Sequence, residues 1–444
     1  MRRVLAALLA GCALVAGCTH ATDGSRAGGS ASPSGSASAG TPTPSGTASA
    51  TTLPAGWGPT RDELAEAERL AARMPVQEEV GSLLMPQFSG RSATSVSSTE
   101  AGVNEESFHV RTISAAIHRY HLGGVIIMPQ NVVDARQVER LNAGVAAAGA
   151  KDAGAALPLL VGVDQEGGTV QRVKSGATTY PAAATIGRTG EPEYARLLAR
   201  DNGTELRAMG FTLDFAPDAD VGFDSPAIGT RAYAASPNRA AAMVTAAADG
   251  YREGGVVPVV KHFPGHGSAS TDSHQTLPRI TRSAATLDRI DLVPFRAAVR
   301  AQVPGVLTAH LNVRAVDPGR PSSVSRKVVT GLLRGQLGFH GVTFTDSEEM
   351  EPIAGHYGPA EGAVRALLAG EDVVLMPKNV RAAYRGLLAA VRSGRISKTV
   401  LDHAVTRVTA LRLYARRIGA GKPSFAQVPW GKHGADVRRV LAHS

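Results

Sequence analysis

Eight short apolar runs, each separated from the next by a stretch of helical periodicity, constrain the fold of this chain more than any other feature. They lie at 81–85, 123–128, 157–163, 211–216, 256–260, 305–309, 342–344 and 372–376. The segments between them, 106–121, 135–148, 193–209, 238–253, 287–301, 325–337 and 360–369, place apolar residues three and four apart, as an amphipathic helix does. The short runs are apolar throughout instead of alternating, which fits strands buried on both faces of a parallel sheet. Strand and helix in strict alternation predict an α/β fold, a single (β/α)8 barrel of the TIM type. A doubly wound open sheet is the competing arrangement. Segments 381–391 and 398–416 read as closing helices.

The barrel is expected over 59–418. Its first helix should start at Thr60, a capping residue followed by Asp62 and Glu63 in the first turn. Residues 18–58 are almost wholly Ser, Gly, Thr, Ala and Pro. Such a stretch buries too little apolar surface to offset its ordering entropy, so it reads as a flexible spacer. Residues 1–17 carry Arg2 and Arg3, then an apolar run over 4–15 that is short for a membrane span. Small residues then precede Cys18. This resembles a bacterial lipoprotein signal, with cleavage before Cys18 and lipid on its thiol. It implies export and a membrane tether on the outer face of the cytoplasmic membrane. Residues 419–444 are polar and weakly patterned, and read as a tail.

The only cysteines are Cys12 and Cys18, so no disulfide and no Cys-based metal site belongs to the body. The net charge is +9, yet no Lys/Arg cluster is interleaved with aromatics, which argues against a nucleic-acid partner.

The polar residues gather where a barrel would put a site, on the loops after its strands. Asp164-Gln165-Glu166-Gly167-Gly168 follows the third run, and Asp214 and Asp218 belong to the fourth. Lys261-His262-Phe263-Pro264-Gly265-His266-Gly267 and Asp272-Ser273-His274 follow the fifth. Asn312 and Arg314 follow the sixth, and Thr345-Asp346-Ser347 the seventh.

A carboxylate ending a buried strand, as Asp346 does, is suited to attack an anomeric carbon. The competing role for Asp346 is an N-cap on the turn starting at Ser347. His274, with Asp272 two residues earlier, reads as an acid/base dyad, because a carboxylate fixes an imidazole's tautomer and stabilises its charged form. A local turn contact is the alternative. Lys261, His262, Arg172 and Arg231 suit donors to a polar ligand, and Asp164 an acceptor from hydroxyls. His262 and His266 have ligand-like spacing, but Pro264 and Gly265 prevent a helix from presenting both, so no metal is expected. Gly167 and Gly168 allow close approach to the backbone without forming a phosphate cradle.

Several blocks together are similar to the β-N-acetylglucosaminidases of glycoside hydrolase family three. They are Val163–Arg172, Asp214-Phe215-Ala216-Pro217, Ile228-Gly229-Thr230-Arg231, the Lys261–Gly267 and Asp272–His274 pair, and Thr345-Asp346-Ser347. The resemblance covers residues 60–415 and implies a single catalytic domain. It implies a retaining exo-hydrolase that releases terminal N-acetylglucosamine from peptidoglycan-derived fragments. It implies Asp346 as nucleophile, His274 as acid/base and Asp272 as its partner. Asp164, Arg172, Arg231, Lys261 and His262 fall at sugar-binding positions, and Met350 where the family often has a methionine lining the site. No cofactor is implied, and a monomer is expected. The chain departs at Ser347, where the family often has a second aspartate. Many β-glucosidases of the wider family take a glutamate acid/base from a second domain; residues beyond 418 are expected to form only a tail, an expectation that favours the histidine mechanism. Open alternatives are specificity for another sugar, transfer to phosphate in place of water, and a non-catalytic glycan-binding lipoprotein.

Overall fold

A computed structural model describes residues 53–153, 157–269, 271 and 276–444. All eight expected strands are present. They are β1 (Leu84–Met85), β2 (Gly124–Ile126), β3 (Leu160–Val163), β4 (Leu213–Asp214), β5 (Val257–Phe263), β6 (Gly305–Thr308), β7 (Val342–Thr345) and β8 (Val374–Leu375). Strands β2 to β7 form one six-stranded, all-parallel sheet in sequence order. Strands β1 and β8 pair separately and in parallel, Leu84 opposite Val374. That pair bonds to both edges of the large sheet. Val373 N donates to Thr343 O at 3.0 Å on the β7 side, and Ile126 N donates to Pro86 O at 3.0 Å on the β2 side.

Helices between the strands supply the crossovers that parallel neighbours require. The first, Arg61–Ala71, begins with the expected Thr60 in a full capping box with Glu63. The core lies inside the curl and between sheet and helices. Phe215 meets Phe344 edge-to-face at 5.6 Å, and Phe263 meets Phe295 at 5.3 Å. Gly162 of β3 packs closely inside the curl, since a Cβ there would lie 2.6 Å from Met85 Cε.

Three helical expectations are corrected. Segment 106–121 is two helices, Ser98–Phe108 and Ile113–Tyr120. His109 closes the first in the left-handed region (φ 54°), and the Thr112 hydroxyl caps the second. Segment 287–301 divides into Ala284–Arg289 and Leu292–Arg300. Pro294 forces the break, because a proline is accommodated only in a helix's first turn. The tail at 419–444 contains a helix, Trp430–Leu441, that buries His433, Val437 and Val440. Its apolar period is only three residues wide, with a histidine in place of one aliphatic. Among the described residues, no helix is long and apolar enough to cross a membrane. The expected signal, spacer and lipidated Cys18 lie outside the described residues.

Candidate active site

The C-terminal ends of β2, β3, β5, β6, β7 and β8 surround a cavity of about 650 Å³. Asp164, Arg172, Arg231, Lys261, His262, Asp346 and Met350 all line it. These residues come from sequence positions as far apart as 164 and 350, and the curl of the sheet brings them to one rim. Asp272 and His274 lie outside the described residues. Asn312, expected on the same rim, instead pairs in a two-residue ladder with Arg279.

A ribbon after β3 pairs Gln165–Gly167 with Val170–Gln171. Gly167 (φ 94°) and Gly168 (φ 58°) turn it, and the backbone they expose is approached by the 180–182 loop. The ribbon holds Asp164, Glu166 and Arg172 against the end of β5. Lys261 Nζ donates to Asp164 Oδ1 at 2.7 Å and lies 2.7 Å from Glu166 Oε1. Arg231 grips Glu166 with two bonds, Nε to Oε2 at 2.9 Å and Nη2 to Oε1 at 2.7 Å. Arg172 Nη2 reaches Asp164 Oδ2 at 3.4 Å.

Two carboxylates and three cations thus interlock in one wall. Burial opposes ionisation of Glu166, but Arg231 and Lys261 hold its carboxyl well below the usual carboxylate range. Burial likewise opposes charge on Lys261, and Asp164 and Glu166 outweigh it, so the ammonium is held charged. The spacing of the Asp164–Gly168 motif gives Glu166 no evident role. Its importance follows from the partners, which sequence spacing does not reveal.

His262 sits between Asp220 and Arg231. Its Nε2 lies 3.1 Å from Arg231 Nη2, and its Nδ1 lies 2.8 Å from Asp220 Oδ2. A guanidinium only donates. Nε2 is therefore the acceptor, and Nδ1 carries the proton donated to Asp220. Burial and then the Arg231 charge push the imidazole down to about 3, so it is neutral at physiological pH. Asp220 also accepts the His266 N–H through Oδ1.

Burial and the neighbouring Asp220 raise Asp218 to about 7. Asp218, Asp220 and His262 offer atoms within 4.8 Å of one another, a spacing a cation could bridge. Their hydrogen bonding opposes this: His262 Nδ1 carries a proton, and Arg231 stands 3.8 Å from Asp218 Oδ2. Deeper still, burial pushes Asp214 up to about 8, while one of its oxygens accepts from Gln165 N at 2.9 Å.

Asp346 ends β7. Its N–H donates to Thr308 O at 2.9 Å, and its Oδ1 accepts from Ser347 N at 2.8 Å. The next helix, Glu351–Ala354, starts at an N-cap formed by Met350. Asp346 therefore does not cap it and lines the cavity. Met128, Met350 and Met376 are among the apolar side chains that line the cavity. Met128 and Met376 had no signal in the sequence beyond ending apolar runs.

The model of the glycosyl hydrolase family 3 N-terminal domain matches residues 75–411. The chain belongs to glycosyl hydrolase family 3. Beta-hexosaminidase LpqI of Mycobacterium tuberculosis is 36% identical over 311 residues, 67% of this chain and 77% of that protein. Beta-hexosaminidase A of Pseudoalteromonas piscicida is 32% identical over 327 residues, 68% of this chain but only 54% of its own length. A solved family 3 β-N-acetylglucosaminidase from Paenibacillus sp. str. FPU-7 superposes with a TM-score of 0.75 at 36% identity, covering 84% of this chain and 69% of that one.

Proposed function

We propose that this family 3 protein is a retaining exo-β-N-acetylglucosaminidase acting on peptidoglycan-derived fragments, its eight strands closing into a complete (β/α)8 barrel. The bonds joining β1 and β8 to both edges of the sheet support closure. The observation that carries the activity is the placement of Asp346 in the same cavity as the Asp164–Lys261–Glu166–Arg231–Arg172 network. That network offers charged donors and acceptors to sugar hydroxyls, and Asp346 offers the nucleophile.

The chemistry then runs in two displacements. The Asp346 carboxylate forms a bond to the anomeric carbon as the glycosidic C–O bond breaks, and His274 gives its proton to the departing oxygen. His274, paired with Asp272, next takes a proton from water. That water's oxygen attacks the same carbon and expels Asp346, so two inversions retain configuration. His262 remains neutral beside the ring and serves as a hydrogen-bonding group, not as the acid. No metal or cofactor takes part in these steps. In this reading Cys18 carries a lipid, and the protein is exported, membrane-tethered and monomeric, with a carbohydrate as its substrate.

A panel of aryl β-glycosides, with and without phosphate, tests this. Aryl N-acetylglucosaminide should turn over at least about tenfold faster than aryl glucoside, because a site built for specific polar groups rejects analogues lacking them. Product masses should show free sugar with or without phosphate. A sugar phosphate, or preference for glucoside, would overturn the assignment.

A further inference from the structure

The helix Trp430–Leu441 lies beyond the family match, which ends at residue 411. It nevertheless buries a histidine whose partners lead to the active site. His433 is 2% exposed and meets the helix Pro192–Ala208. Its Nδ1 lies 2.8 Å from Glu205 Oε1, and its Nε2 lies 3.8 Å from Asp201 Oδ1, one turn earlier on that helix. A carboxylate only accepts, so Nδ1 donates to Glu205. Glu205 is itself buried and also accepts from Thr178, whose backbone N–H donates to Oε2 at 3.0 Å and whose hydroxyl donates to Oε1. Gln171 Nε2 donates to Thr178 O at 2.9 Å, and Tyr180 N donates to Gln171 Oε1 at 3.1 Å. Gln171 pairs with Gln165 in the ribbon that holds Asp164, Glu166 and Arg172 at the cavity. The same 178–182 segment backs the turn of that ribbon. Gly168 N donates to Tyr180 O at 2.9 Å, and a Cβ on Gly167 would lie 2.6 Å from Pro181 O.

We infer that His433 is a positioning residue: acting through Glu205, Thr178 and Gln171, it fixes the ribbon whose Asp164 and Arg172 meet the terminal sugar. The inference rests on the glycosidase reading above. Gln171 spends both ends of its amide on the 178–180 segment, so ribbon and segment move together. Thr178 spends both of its donors on Glu205, so segment and helix move together. The tail helix supplies a further donor to that carboxylate. Without the imidazole, a buried acceptor is left short of a donor, which is costly in a low-dielectric interior. The carboxylate then turns toward other donors, and Thr178, Gln171 and the sugar-binding side chains follow. Lys261 and Arg231 brace the carboxylates of the ribbon, and the 178–182 segment braces its turn. Asp346 stands on β7, outside this chain of contacts. A loosened ribbon therefore weakens sugar binding and leaves the covalent step intact, which is a defect in KM and not in kcat.

Four full-length variants test this. His433→Ala removes the imidazole, and His433→Asn keeps an amide N–H where Nδ1 stood. Thr178→Val cuts the relay with the tail helix left in place, and Val437→Ala loosens that helix without touching the relay. For each, kcat and KM are measured on an aryl N-acetylglucosaminide below the melting transition. His433→Ala should raise KM at least about fivefold, the scale of one lost hydrogen bond, with kcat within about twofold. Thr178→Val should show the same defect. His433→Asn should restore KM to within about twofold of wild type, because the donor returns. Val437→Ala should lower the melting temperature and leave KM unchanged. Wild-type KM in His433→Ala or Thr178→Val, no rescue by His433→Asn, or an equal rise in Val437→Ala overturns the positioning role. Calorimetric binding of N-acetylglucosamine to Asp346→Asn, with and without His433→Ala, separates this inference from the glycosidase reading. Weakened binding with His433→Ala sustains the relay even if no glycoside is turned over. Unchanged binding overturns the relay, and absence of binding to both proteins overturns both readings.

Discussion

At Asp220 a single buried carboxylate holds two residues four positions apart, the His262 ring and the His266 backbone. By taking the His262 proton at Nδ1 it leaves Nε2 as an acceptor for Arg231. Asp220→Asn keeps the shape but reverses this logic. The new amide would donate to Nδ1, the proton would move to Nε2, and two donors would face each other. We expect kcat/KM on an aryl N-acetylglucosaminide to fall about tenfold or more, since a buried hydrogen bond to a charged group contributes roughly 1.5–3 kcal/mol. Wild-type kinetics in this variant would mean that the His262 tautomer is irrelevant. The sequence displayed Asp164, Lys261, His262 and Asp346 as polar residues at strand ends, and Arg172 and Arg231 as donors suited to a polar ligand. It did not display Glu166 or Asp220 as their partners, because who pairs with whom depends on strand register and loop path. Met128 and Met376 were hidden for another reason: a methionine ending a buried run looks like ordinary core.

At the scale of elements, the turn after β7 and the turn before β8 each bury a glutamate. Glu348 and Glu371 are 2% and 1% exposed, and neither Glu348 oxygen has a hydrogen-bond partner. Burial, and for Glu348 then the facing Glu371, pushes each up to about 8. Arg334, Asp372, Thr308 and Thr343 surround Glu371. The sign follows from proton binding. An unfolded glutamate loses its proton near 4.5, whereas the folded one keeps it to about 8. Over that window the folded state binds more protons, so stability falls as pH rises. Glu348→Gln should raise the melting temperature at pH 8 and change it little at pH 5, with a difference on the order of a few kcal/mol at about 1.4 kcal/mol per pH unit. Equal shifts at the two pH values would contradict this. Elements themselves were largely legible. Every strand read from apolar runs is present, and Thr60 caps as expected. Misreadings fell where a short-range signal outweighed periodicity: Thr112 and Pro294 break two helices, and His433 hides the last one.

For the whole molecule, the decisive property is convergence. Residues separated by nearly two hundred positions meet at one rim because parallel strands all end there. That arrangement was inferable from strand–helix alternation alone, and family membership agrees with it. The volume and walls of the cavity were not inferable, since they depend on loops whose lengths say little about their paths. The central claim is that Asp346 becomes covalently bonded to the sugar. A slow fluorinated N-acetylglucosaminide, followed by proteolysis and mass spectrometry, tests it directly. The sugar adduct should appear on the peptide containing Asp346 and be absent from Asp346→Asn. An adduct on any other residue, or its persistence in that variant, would contradict the claim.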